Sequence, residues 1–384
     1  MGFAAGRRKQ HAGGARSPDF EGVVRRKPRF QPRVVGLKLR SVHFLTSQPT
    51  TDPTTIYRCR DGLYAADLLA AALVSLDLFT WLNDHPSEPG AICLALGIKE
   101  RPTDVMLTLF VAMGFLRRDN GIFSLTDLAR EHLVKTSPWF IGPYYASLKE
   151  RPVCRDFLSV LRTDKPANWG SLKNEKEWAK AMEDDAFASQ FTAAMDCRGV
   201  YLGQAVAKAL DLRNRKQLLD IAGGSGIYAC CIVAHHPHLQ ATVFEKPPVD
   251  KIARNAVAKR GCAGRVSVAA GDMFAEALPA GYDVHLISNV LHDWDVPVVK
   301  QLLASSFKSL SRGGLLVVHD AHLNPDKSGP LHVAEYSAML MHSTEGRCYS
   351  VAEMESSMTE AGFGGFEFIP TAAGRSVILA RKPG

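Results

Sequence analysis

No apolar run in this chain approaches the ~18 residues that a membrane-crossing helix needs, so no membrane span is expected. Cysteine occurs eight times in 384 residues, but never as C-x-x-C, and Cys230-Cys231 are neighbours in a stretch of helical texture. That pattern excludes a zinc ribbon, a dithiol redox motif and a disulfide framework. It leaves reduced, mostly buried thiols in a cytoplasmic chain as the expectation. The cluster His235-His236-Pro237-His238 lacks the spacing of a settled metal site. It ends a predicted helix, where positive side chains complement the helix dipole, so no metal is expected. Acidic residues are scarce at one end only. Residues 1–45 hold eleven Lys/Arg and two acids, an excess of nine in a chain of net charge +7, which leaves the remainder at −2. The basic character therefore belongs to an N-terminal arm. Gly13-Gly14, three prolines and few periodic apolar positions mark residues 1–50 as a disordered basic arm. The arm is poor in Ser and has no secretory apolar region, which argues against export. A leader remnant, a solubilising tail, an Arg-rich transit peptide and a nucleic-acid arm all stay open.

What is present suits a globular chain of two domains, with 46% apolar and 22% charged residues. Over residues 51–165 apolar positions recur at helical spacing. One helix is expected to start near Leu63 and run on through Val74 to Leu82. A second, Asp104–Phe115, starts beside Pro102 and ends near Gly114. Asn120-Gly121 between two short apolar runs predicts a hairpin, so helix, helix and a two-stranded wing make a winged-helix-like domain. Asp104–Gly114 carries no Lys or Arg, which leaves little electrostatic footprint for DNA. Dimerisation and capping of a substrate are the preferred roles. A ligand-sensing DNA-binding protein is the alternative. Residues 166–212 read as linking helices that roof an acceptor pocket.

From residue 213 onward strands and helices alternate. Strands are expected at Gln217–Ile221, Thr242–Glu245, Val266–Ala270, Val284–Ser288 and Leu315–His319, then Phe366–Ile369 and Ser376–Ala380. The last two are joined by a link too short for a crossover helix, so they must pair antiparallel. The expected fold is an α/β, seven-stranded, Rossmann-like sheet with an antiparallel C-terminal hairpin, binding ligands beyond the carboxyl ends of its strands.

Leu218 to Gly226 closes a strand and opens a helix through Asp220, Ala222, Gly223, Gly224, Ser225 and Gly226. Small residues let a ligand approach the backbone, and the helix start offers free N–H groups to an anion. Glu245, at the end of the next strand, suits a ribose diol. The same residues satisfy a dinucleotide pattern, Gly224-x-Gly226-x-x-Ala229 plus an acid, so a nicotinamide oxidoreductase competes with an S-adenosylmethionine (SAM) enzyme. The mid-chain position, Gly271-Asp272-Met273-Phe274 after the third strand, and the terminal hairpin favour SAM. Ala222 is acceptable in the loop if its φ is negative.

With Leu291-His292-Asp293-Trp294 and Ala361-Gly362-Phe363 added, residues 52–384 resemble the class I O-methyltransferases of the plant caffeate, animal acetylserotonin and bacterial polyketide-tailoring type. The resemblance implies a homodimer, a SAM donor leaving as S-adenosylhomocysteine, and a small aromatic hydroxyl-bearing acceptor, with no nucleic acid and no membrane. It assigns the donor to Asp220, Gly223, Gly224, Gly226, Glu245, Asp272, Met273, Phe274 and Ser288. His292 becomes the general base for an in-line displacement. Of the two acids that flank this histidine in such enzymes, the first matches Asp320. The second falls on Cys348, a thiol, which leaves either Asp320 alone or Glu345 through a shifted loop to orient His292. Met195 and Met339, with Phe191 and Trp294, are expected against the acceptor ring.

Overall fold

A computed structural model describes residues 43–167 and 184–384. Most of the basic arm and residues 168–183 of the expected linking helices lie outside that description. Where the arm enters it, His43–Leu45 form a short 3-10 turn. Leu45 is fully buried in the core of the sheet, and Phe44 packs partly buried against it.

Helices α1 (Thr54–Asp61), α2 (Ala65–Ala70), α3 (Leu78–Asp84), α4 (Pro89–Leu96) and α5 (Glu100–Ala112) lead into the strands β1 (Leu116–Asp119) and β2 (Ile122–Leu125). The single helix expected from Leu63 to Leu82 is broken. It passes through a π turn at Ala71–Ser75, and Asp77 then takes φ +56, a left-handed conformation that Asp tolerates better than most residues. The β1–β2 hairpin turns on Asn120 and Gly121, both at positive φ (49 and 86), as a two-residue turn of the mirror type requires. Helices α6 (Asp127–Leu133), α7 (Gly142–Ala146) and α8 (Pro152–Thr163) complete this region.

The long α9 (Asp185–Ala209) precedes the sheet. The sheet elements follow as β3 (Gln217–Ile221), α10 (Ile227–His235), β4 (Gln240–Glu245), α11 (Val249–Lys259), β5 (Val266–Ala270), β6 (Val284–Ser288), α12 (Val296–Ser309) and β7 (Leu315–Asp320). Helices α13 (Leu331–Ser343) and α14 (Val351–Ala361) then lead to β8 (Gly364–Pro370) and β9 (Ser376–Arg381). The strand order is β5-β4-β3-β6-β7-β9-β8. β3 to β7 are parallel, and β9 runs antiparallel to both β7 and β8.

Side-chain alternation fixes which face each strand residue covers. Leu218, Val284, Leu286, Leu315, Val317, Val377 and Leu379 pack on one side with α9, α10 and α11. Leu219, Ile287, Leu316, Val318, Ile378 and Ala380 pack on the other with α12 and α14. A third core joins the N-terminal helices, and α13 belongs to it through Val333, Ala334, Tyr336, Ala338, Leu340 and Met341. Each fully buried Leu or Val contributes about 1.5–3 kcal/mol, so α13 is a strong tie between the helical region and the end of the sheet. Among the described residues no single helix is long and apolar enough to cross a membrane. The bent pair Thr54–Ser75 with Leu78–Asp84 has the composition, but its Leu68, Leu69, Leu73, Leu78, Phe79 and Leu82 are buried in the helical core.

Candidate active site

The parallel strands end along one edge, where the expected donor residues, His292, Asp320 and Trp294 lie, while Phe191, Met195 and Met339 are on helices and Glu345 is in a loop. β3 ends at Ile221 and turns through Ala222 (φ +53), Gly224 (φ +56) and Gly226 (φ +72), which caps α10. The expectation of a negative φ at Ala222 is therefore wrong. The turn needs a left-handed residue there, and Ala222 N–H is held by Phe244 O at 2.9 Å. An alanine in that region costs about 1–2 kcal/mol. Gly223 is required for space, since a Cβ would sit 2.6 Å from the Asp220 carboxyl carbon. Asp220 is fully buried, and neither oxygen accepts a hydrogen bond of normal geometry. Burial pushes its carboxyl up to about 7, against a smaller lowering by the Ala229 amide.

Glu245 closes β4 facing this loop. Its two oxygens accept hydrogen bonds from Gly224 N and Lys246 N, each at 2.8 Å, while burial raises its pKa. Asp272, after β5, accepts from Phe274 N at 2.9 Å and pairs with Lys246 Nζ at 2.6 Å. Met273 and Phe274 are half-buried beside it, and the Phe274 ring meets Trp294 edge-on at 4.8 Å. Ser288, at the end of β6, is engaged by His319 Nδ1 (2.8 Å) and Asn289 Nδ2 (3.0 Å), so it lines this edge as part of a local network.

His292 lies in the 3-10 turn Leu291–Asp293 that follows β6, and Asp320 is the last residue of β7. β6 and β7 are paired neighbours with Ser288 opposite His319, which brings the two side chains together. His292 Nδ1 lies 2.5 Å from Asp320 Oδ1, with both residues 4% exposed. Asp320 also accepts from Ala321 N at 2.8 Å. Burial disfavours the imidazolium, but the Asp320 carboxylate, aided by Tyr336 and Asp293, outweighs it and raises the His292 pKa to about 10. Burial likewise works against the Asp320 anion, yet His292 holds that carboxyl below the usual range. Cys348 is fully buried, and burial together with the nearby Asp320 charge pushes its thiol well up, so this position holds no charge. Glu345 is half-buried in the loop after α13. Its neighbour Gly346 packs so tightly on His292 that a Cβ would fall 2.1 Å from the His292 carbonyl oxygen.

The expected acceptor residues are only partly brought together. Met195 on α9 and Met339 on α13 have separate arginine partners. Arg198 donates to Tyr336 Oη at 3.3 Å and approaches Met195 Sδ at 3.6 Å, while Met339 Sδ is approached by Arg60. Phe191 stacks on Phe187 and packs against Val249 and Ile252 of α11, toward the Glu245 side. The Tyr336 ring stands edge-on to His292, with centroids 5.6 Å apart. Arg198 and Tyr336 carry a sequence signal that reasoning from methionine missed, because each lies three residues from Met195 or Met339, one helical turn away. Arg375, whose guanidinium carbon is 4.2 Å from the Tyr336 ring centroid, and its partner Asp61 are 314 positions apart and leave no local signal. The histidine cluster of residues 235, 236 and 238 is spent on backbone carbonyls of Cys231, Ala207 and Leu212.

The profile of the O-methyltransferase domain matches residues 161–364. The chain belongs to the O-methyltransferase family. It is 30% identical over 313 residues to the 3-hydroxy-5-methyl-1-naphthoate 3-O-methyltransferase of Streptomyces sahachiroi, covering 81% of this chain and 89% of the relative. It is 29% identical over 335 residues to the tetracenomycin polyketide synthesis 8-O-methyltransferase of Streptomyces glaucescens, covering 86% and 97%. A solved O-methyltransferase family 2 protein of Planctomyces limnophilus, in complex with apigenin, superposes with TM-score 0.80 at 34% identity, covering 88% of this chain and 98% of that one. As an O-methyltransferase this chain uses SAM, and the nicotinamide alternative falls. The loop edge fits that donor. It offers a helix start behind a cradle that a Cβ at Gly223 would fill, unpartnered Asp220 oxygens, and carboxylates of Glu245 and Asp272 at successive strand ends.

Proposed function

We propose that the enzyme methylates a hydroxyl of a small aromatic acceptor, with His292 as general base oriented by Asp320. The observation that carries this reading is the buried His292–Asp320 pair at the carboxyl edge of β6 and β7. The Asp320 carboxylate accepts a hydrogen bond from Nδ1–H, which leaves Nε2 as the basic atom. Bound SAM supplies the electrophilic methyl and a positive charge that disfavours a second cation at His292, countering the raised pKa of the resting state. Asp220, Glu245 and Asp272 would hold the donor, with Met273, Phe274 and Ser288 beside them. Met195, Met339 and Trp294 would contact the acceptor ring, and Phe191 would serve the donor side. The Streptomyces sahachiroi relative, named for methylating a hydroxynaphthoate, supports a fused phenolic ring as acceptor.

A homodimer built on the helical region, residues 51–165, is part of this proposal. Among the described residues, seven of the nine exposed large apolar side chains, Ile56, Leu63, Leu94, Leu128, Trp139, Ile141 and Tyr144, lie in residues 56–144, with Val296 and Phe368 elsewhere. Light scattering should give twice the mass of the chain. For the chemistry the test is His292→Ala, read by calorimetry with S-adenosylhomocysteine and by turnover of a hydroxynaphthalene panel. Cofactor affinity should be kept and kcat should fall about 10²–10⁴-fold; undiminished turnover would remove His292 from its role.

A further inference from the structure

Beside His292 two arginines, Arg198 and Arg375, converge on Tyr336. Arg375, in the turn between β8 and β9, is 6% exposed and lies over one face of Tyr336. Its charge is answered by Asp61 Oδ2 at 3.0 Å. Arg198 touches the same tyrosine from α9, and its hydrogen-bonding partners are the neutral Tyr336 hydroxyl and Met195 Sδ. Among the described residues no carboxylate stands within ion-pair distance of Arg198. Asp320 is committed to His292, and Asp293 leans toward His292 Nε2 at 3.6 Å. The Nε atoms of Arg198 and Arg375 are both buried without a partner. Guanidinium groups stay charged at any working pH, and a buried cation lacking an anion is destabilised unless something completes it.

Resting on the proposed acceptor site, we infer that Arg198, supported by Arg375, binds a carboxylate on the acceptor, so that the substrate is an aromatic hydroxy acid. Tyr336 sets the spacing. Its ring packs perpendicular to His292 with centroids 5.6 Å apart and its hydroxyl accepts from Arg198 at 3.3 Å, so the one tyrosine touches both base and guanidinium. A rigid hydroxy acid with its two groups on different carbons of a fused ring reaches both, presenting the hydroxyl to His292 and the carboxylate to the planar donors of Arg198. An uncharged phenol would leave the cation unanswered.

The test is a binding titration of the protein saturated with S-adenosylhomocysteine, which needs no turnover. Hydroxynaphthoates with the hydroxyl on successive carbons are compared with 2-naphthol, in the native enzyme, Arg198→Met and Arg198→Lys. At least one hydroxynaphthoate should bind roughly 10–100-fold tighter than the naphthol. Arg198→Met should erase that preference while leaving S-adenosylhomocysteine and naphthol binding unchanged, and Arg198→Lys should keep part of it. Naphthol binding as well as every carboxylate, or a preference that survives Arg198→Met, would overturn the inference. So would weakened S-adenosylhomocysteine binding in Arg198→Met with the preference intact, which would place the arginine on the donor. Failure of the native protein to bind S-adenosylhomocysteine would instead strike the methyltransferase reading.

Discussion

Asp320→Ala is the perturbation that bears most directly on the chemistry. In the native fold Asp320 counters the burial that would otherwise hold His292 below its ordinary pKa, and lifts it to about 10. Without the carboxylate, burial is opposed only by Asp293 and Tyr336, and the pKa should fall well below that value. The loss should be of the order of the ~3–5 kcal/mol seen when one partner of a buried pair is removed. Because the folded pKa is raised, this stabilisation is fully present below pH ~6.5 and lost as pH rises through about 10. Asp320→Ala should therefore be markedly less stable than the native protein at pH 6, and the gap should close in alkaline solution. Catalysis should suffer as well. Nothing then fixes the imidazole tautomer, and kcat should fall about 10²–10⁴-fold, while the pH at which activity rises should move down. The assays are urea unfolding across pH and a kcat–pH profile, with Glu345→Ala as comparison. A larger loss in Glu345→Ala, or an activity limb that does not move, would show that the geometric pair is not the functional one.

Three further outcomes follow from the edge of the sheet. Ala222→Gly removes the left-handed strain at φ +53 and should raise stability by about 1 kcal/mol after the entropy cost of glycine, read as a higher melting temperature; a lower one would mean the methyl packs usefully. Glu245→Ala should weaken S-adenosylhomocysteine binding about 10–100-fold in calorimetry, and unaltered affinity would free Glu245 from the donor site. Burial holds His285 and His319 down to about 3 and His322 to about 4, so each lends stability above pH ~6.5 that is lost as pH falls toward the folded values. Asp220, raised to about 7, works the other way below neutrality. Near pH 5 these four groups together should bind about two more protons in the unfolded chain than in the native one, contributing roughly 2.7 kcal/mol per pH unit to the slope in urea titrations. A flat profile there would contradict the burial of these rings.

Sequence periodicity located the sheet well because β3, β4, β6, β7 and β9 are buried on two faces and the strands are bounded by turn residues. Gln217–Ile221, Val266–Ala270 and Val284–Ser288 have the expected bounds, and the antiparallel end of the sheet follows from the short link Thr371–Arg375. The helical region was less legible. Nothing local in Leu63–Leu82 signals that Leu76-Asp77 must turn, since the break serves the packing of Leu78, Phe79 and Leu82 in a core assembled from distant segments. At the site, short motifs signal residues that lie close together at the strand ends, whereas residues brought in by tertiary contact carry no such signal. His292 and Asp320 stand at the ends of adjacent strands, and strand order makes them neighbours. Arg375 reaches Tyr336 and Asp61 only because the last hairpin turns over α1 and α13.

The position of α13 bears on how specificity can change. The helix buries Tyr336, Leu340 and Met341 among the N-terminal helices, yet Tyr336 is also the ring that separates His292 from Arg198 and stacks under Arg375. The His292–Asp320 pair belongs to β6, β7 and the turns that end them, while the groups that would meet the acceptor belong to α9, α13 and the final hairpin. Substitutions in the helical core that shift α13 by a fraction of an ångström would move the acceptor relative to a fixed base, and alignment of the reacting atoms is where such a shift costs most. Acceptor choice can thus drift through packing far from the sheet, while the donor loop and the His292–Asp320 pair stay as they are.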